Sequence, residues 1–174
     1  MVDKRRVSLD LFTEAGADFD GSYRYDLFRK WGQGPMLLFV MLNPSTADEF
    51  KLDRTVARCR KLAMKMDFGS FHVVNMFALI STDPKKLEEV DNPVGKLNGR
   101  YIGRLAKEAE KVIVAWGSHK LVKSREAAVL KLLHKHHKKL YCLGVTKKGH
   151  PRHPLYVPSS AELVKYDGES PKTK

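Results

Sequence analysis

A chain of 174 residues with 43% hydrophobic side chains has the size and apolar content of one domain with a real core. Its 32 Lys and Arg against 20 Asp and Glu give a formal charge of +12, an excess that suits a polyanionic partner whose phosphates shed counterions on contact. Cys59 and Cys142 stand far apart, which excludes a disulfide framework or a cysteine-based zinc or iron–sulfur site. With no signal-like start or membrane-length apolar run, a cytoplasmic monomer with no membrane partner is expected.

Residues 1–21 mix charges with Gly16 and Gly21 and show weak periodicity, which predicts an N-terminal arm. Alternation over residues 22–29, a Gly32-Gln33-Gly34-Pro35 break and an apolar run over 36–42 predict a β-hairpin with the second strand more buried. Further short apolar runs at 71–76, 112–116 and 140–143 read as buried strands. Asp53 caps a helix carrying Val56, Cys59, Leu62, Ala63 and Met66, with Gly69 just past its end. A second helix is expected over 94–110 and a third over 118–137. Residues 22–165 then form a single α/β domain, and 166–174 a flexible tail. The alternation predicts a three-layer α/β/α fold around a central, mainly parallel four-stranded sheet, plus an N-terminal antiparallel hairpin strand.

In parallel sheets ligands sit beyond the carboxyl ends of the strands, and there the polar residues of this chain collect. The first main strand ends in Asn43-Pro44-Ser45-Thr46-Ala47-Asp48, the second in Asn75-Met76-Phe77, and the third in Trp116-Gly117-Ser118-His119. After the fourth comes Thr146-Lys147-Lys148-Gly149-His150-Pro151-Arg152-His153-Pro154-Leu155-Tyr156. Two prolines stiffen that last loop around two imidazoles and a guanidinium, as stiff polar loops that carry sites often do. His134, His136 and His137 lie among lysines without a carboxylate, which predicts a solvated basic helix end rather than a metal site.

Over residues 23–158 these motifs resemble the family known as domain of unknown function 1643, through Met41 to Asp48, Asn75-Met76-Phe77-Ala78 and Arg152-His153-Pro154-Leu155-Tyr156. More distantly, Asn43-Pro44, Val73-Val74-Asn75, Ala115-Trp116-Gly117 and the His-Pro loop resemble, in order, the motifs of the uracil-DNA glycosylase superfamily. That resemblance implies a glycosylase-like fold with a pocket for a flipped base, Asn43 holding the attacking water, Asn75 reading the pyrimidine edge, and His153 or His150 stabilising the leaving base. The chain departs from the pattern at Met41, where a Gly is usual, at Ser45, and in the order His-Pro-Arg-His-Pro.

Breaking an N-glycosidic bond needs a placed water, stabilisation of an oxocarbenium-like sugar and help for a base that leaves with negative charge. Asn43 can orient water but is a poor base, so Asp48 or Asp53 is expected to supply a carboxylate, Asp48 first because Asp53 has a capping role. Phe77, Phe71 or Tyr156 would stack on the base. Ser45, Lys147, Lys148, His150, Arg152 and Lys120 would touch the nucleic-acid backbone, with Lys123 in support. No metal or cofactor is called for, since Gly32-Gln33-Gly34 lacks the rest of a dinucleotide fingerprint. The expectation is a monofunctional DNA glycosylase acting on a uracil-like or modified pyrimidine, in repair or in defence against modified phage DNA. A catalytically silent nucleic-acid binding module and a nucleoside or nucleotide hydrolase are the alternatives.

Overall fold

The computed structural model describes residues 1–9 and 13–168. In chain order come strands β1 (Asp3–Ser8), β2 (Glu14–Asp20), β3 (Tyr23–Lys30) and β4 (Met36–Met41), helix α1 (Arg54–Lys65), β5 (Ser70–Asn75), α2 (Asn98–Glu108), β6 (Lys111–Val114), α3 (Val122–His134), β7 (Leu140–Cys142) and β8 (Val164–Tyr166). All eight strands join one sheet in the order β1-β2-β3-β5-β4-β6-β7-β8.

β4 is the spine because its run of apolar residues can be buried on both faces. Leu37 and Phe39 pack with Val56, Cys59, Leu62 and Ala63 of α1. Leu38 and Val40 face the opposite cluster, which holds Ile102, Leu105 and Ala106 of α2 and Val129 and Leu133 of α3. α1 begins where the sequence indicates: Asp53 is extended, and its side chain accepts from Val56 N at 2.8 Å, satisfying one of the orphan amides of the first turn.

The expected three-layer, uracil-DNA glycosylase-like fold around a central four-stranded and mainly parallel sheet is overturned. Among the described residues the sheet is mixed, with four antiparallel pairings (β1/β2, β2/β3, β3/β5, β7/β8) and three parallel ones (β4/β5, β4/β6, β6/β7), and three α-helices accompany it. Residues expected as an arm supply β1 and β2. Their pattern is weak because β1 is exposed along nearly its whole length while β2 packs through Ala15, Gly16 and Ala17, and a Cβ on Gly16 would run into the Phe28 ring.

The expected hairpin of residues 22–42 is likewise absent. β3 pairs with β5, Leu27 opposite Val73, and β5 lies between β3 and β4. The glycine turn instead wraps the start of β5: Trp31 N and Gly32 N donate to Gly69 O, and Gly69 N donates to Pro35 O. A Cβ on Gly69 would overlap the backbone of Gly34, so two glycines make this close approach possible.

α2 starts later than expected because Pro93 and Val94 accept backbone bonds from Leu79 N and Ala78 N, and Gly95 has φ +80°. α3 is shorter than the expected 118–137 at both ends. Near the C-terminus, β8 pairs with β7, and Tyr166 meets Trp116 edge-on and donates to Glu126 at 2.8 Å. The expected tail thus begins inside a strand, and its residues 169–174 lie outside the described residues. Among the described residues no helix is long and apolar enough to cross a membrane.

Candidate functional site

A cavity of about 620 Å³ opens where β4, β6 and β7 end. Its wall is built from Leu42, Asn43 and Ser45 after β4, Asp53 and Thr55 at the start of α1, Trp116 to His119 after β6, and Thr146, Lys147, Arg152, His153 and Tyr156 after β7. Arg24 of β3 joins them.

The loop after β4 is held by its own polar groups. Asn43 Nδ2 donates to Pro44 O at 3.0 Å and Ser81 O at 2.8 Å, and Ser81 N returns a bond to Pro44 O. Both amide hydrogens are therefore committed, and Oδ1 is the end of Asn43 left to accept. Further along, Arg24 Nη1 donates to Ala47 O at 2.5 Å and Arg29 Nη2 to Asp48 O at 2.6 Å. Both guanidinium groups are almost wholly buried, and burial lowers both pKa values. Arg24, pushed down to about 10 against the opposing pull of Asp53 and Asp26, remains a cation at neutral pH.

The two carboxylate candidates separate. Asp48 lies outside the cavity wall, and its Oδ1 accepts from Phe50 N and Lys51 N. Burial opposes its charge, but the amides of Lys51 and Phe50 and the guanidinium of Arg29 hold the carboxyl below its ordinary range. Asp53 both caps α1 and lines the cavity.

The two loop histidines separate as well. Gly117 N bonds Pro151 O and Arg152 N bonds Gly144 O, which folds the proline-stiffened loop back over the end of β6 and turns His153 into the cavity wall. His153 Nδ1 accepts from Leu155 N at 3.3 Å, capping the 3₁₀ turn Pro154–Tyr156, so in the neutral ring the hydrogen sits on Nε2. Burial lowers its pKa and Asp53 partly restores it. His150 does not line the cavity, and its Nδ1 lies 3.9 Å from Glu126.

Of the residues expected to hold a base, only Tyr156 lines the cavity. It is 78% exposed, with its ring 5.5 Å from that of His153. Asn75 is buried outside the wall, neither side-chain polar atom hydrogen-bonded among the described residues, and Phe77 and Phe71 are core residues. Of the residues expected at the backbone, Ser45, Lys147 and Arg152 line the cavity, whereas Lys148, Lys123 and Lys120 do not. Lys120 is ion-paired with Glu88 at 2.5 Å.

Sequence reasoning missed Arg24, Thr55 and the contribution of Ser81, Thr82 and Pro84 to the wall. Arg24 carried one signal: a charged residue inside an alternating strand beside buried Tyr25.

One family model, described as "Protein of unknown function (DUF1643)", matches residues 24–155, a span that reaches from Arg24 through His153. No curated protein and no solved structure matches the chain.

Proposed function

The chain belongs to the DUF1643 family, and from that footing we propose that its cavity hydrolyses the N-glycosidic bond of a uracil-like or modified pyrimidine flipped out of DNA. The observation that carries this reading is the meeting of Asn43, Asp53 and His153 on one cavity wall. Water accepted into the site donates a hydrogen to Asn43 Oδ1, and its oxygen forms the new bond to the sugar C1′. Its other proton passes to Asp53, whose negative charge also stabilises the oxocarbenium-like sugar. As the C1′–N bond breaks, its electron pair leaves with the base, and His153 Nε2–H donates to the oxygen that gathers this charge. Tyr156 at the mouth offers a stacking face. Lys147 and Arg152 offer phosphate contacts that offset a base-flipping cost of about a few kcal/mol.

The test is alkaline cleavage of duplexes carrying uracil and a panel of modified pyrimidines after incubation with the protein. Abasic sites are expected on at least one base, with His153→Ala slowing their formation by about 10²- to 10³-fold, the usual effect of removing one electrostatic donor. DNA binding without abasic product across the panel would reject the enzyme in favour of a silent binding module. Release of base from free nucleosides or nucleotides without DNA affinity would select a small-molecule hydrolase.

A further inference from the structure

Arg24 is 2% exposed, and the nearby carboxylates of Asp53 and Asp26 act on it through space without pairing directly. Its one hydrogen-bonded acceptor is Ala47 O, its Nε has no partner, and it has no ion pair among the described residues. A guanidinium carries five N–H donors in a planar fork suited to carboxylate and phosphate. Leaving a buried Nε–H without a partner is costly, and the residue lines the cavity.

Two further features of the same wall favour negative charge. α1 presents its N-terminus there through Asp53, Thr55 and Val56. Asp53 satisfies Val56 N, while the first amides of a helix have no acceptor within it and carry partial positive charge. Trp116, also in the wall, has a buried indole N–H without an acceptor among the described residues. Among the described residues of the wall the one carboxylate is Asp53, set against Arg24, Lys147 and Arg152.

We propose that this part of the cavity is an oxyanion subsite, in which Arg24, supported by Thr55 and the start of α1, pairs with a carboxylate or phosphate group on the ligand. The inference rests on the cavity being the substrate site proposed above, and it narrows the substrate to a nucleotide unit with an anionic group inside the pocket. That group is either a carboxylate borne by the base or the nucleotide's own phosphate.

Calorimetric titration of the wild-type protein separates the sources. Its ligands are inorganic phosphate, deoxycytidine monophosphate and 5-carboxycytosine, with deoxycytidine and cytosine as neutral controls. Saturable binding of 5-carboxycytosine but not of phosphate or the monophosphate assigns the subsite to the base. The reverse pattern assigns it to the nucleotide phosphate. In either case the anion binds more tightly than its neutral control, and Arg24→Met erases the difference, a loss of about 10- to 100-fold as expected for a charged hydrogen bond. Arg24→Lys, which keeps the charge but not the fork, retains part of the preference. If every anion binds the wild-type protein no better than its neutral control, the subsite does not exist, whatever the variants do. Base release from neutral pyrimidines with no anion preference overturns this inference and leaves the glycosylase reading intact. Anion preference with no base release from any DNA sustains the subsite and overturns the enzyme.

Discussion

His153 can donate into the cavity while neutral because its Nδ1 is taken by Leu155 N. A protonated ring has no lone pair at Nδ1, so protonation breaks that cap as well as placing charge in a buried site. Burial therefore holds the folded-state pKa below its ordinary value near 6.5. Below 6.5 the unfolded chain binds the proton more readily than the folded one, so this group's stabilisation is complete above that pH and is lost as pH falls towards the folded value. If the proposed glycosylase reading holds, base release declines on the acid limb with a midpoint below 6.5. In an NMR titration of the imidazole, Asp53→Asn should move that midpoint further down, because the carboxylate is what raises it; an upward or absent shift would remove Asp53 from the electrostatics of the site. Asn43 makes a second prediction. Its two donor contacts face the carbonyls of Pro44 and Ser81, so Asn43→Asp would set oxygen against oxygen and should lower stability by about 1–3 kcal/mol in denaturant melts. An amide at position 43 is what holds this loop, since both of its hydrogens are committed to carbonyls.

At the scale of elements, α1 ties stability to the site through Asp53. Asp53→Ala should cost about 1 kcal/mol by removing an N-cap, while Asp53→Asn keeps the cap and should melt near wild type; equal losses in urea would show that charge rather than capping stabilises the helix. The Gly34–Gly69 approach makes a sharper case. Gly69→Ala drives a Cβ into backbone and should cost about 1–3 kcal/mol, as overpacking does. These two elements differ in how far the sequence reveals them. α1 is legible because cap, apolar stripe and stop signal are local and agree. The glycine turn misleads because a turn between two extended runs implies pairing only if nothing intervenes, and β5, far along the chain at Ser70–Asn75, does. The same locality explains the site. Asn43 and His153 follow parallel strands, whose carboxyl ends must share an edge, so their meeting could be anticipated. Asn75 also ends such a strand, but its burial depends on what covers it. Arg24 reaches the cavity from an antiparallel strand whose place in the sheet no local pattern specifies.

On the whole molecule, the formal charge of +12 does not by itself say where a polyanion lies, because basic residues occupy both ends of the sheet. Lys138 and Lys139 immediately precede β7, at its amino end, whereas Lys147 and Arg152 follow it in the cavity wall. If the cavity is where DNA is engaged, phosphates are neutralised at the carboxyl end, and deleting one cation that touches a phosphate should reduce the slope of log K against log salt by about 0.9 for duplex DNA. Lys147→Ala with Arg152→Ala should therefore flatten the slope by nearly two. Lys138→Ala with Lys139→Ala removes the same charge from the opposite end and should leave the slope close to wild type, so the comparison separates a localised contact from general attraction by net charge. Equal flattening by the two pairs in a fluorescence-anisotropy salt series would mean that the cavity does not position the DNA. The nucleotide would then have no directed route into the pocket, and the proposed flip would lack the phosphate contacts that offset its cost.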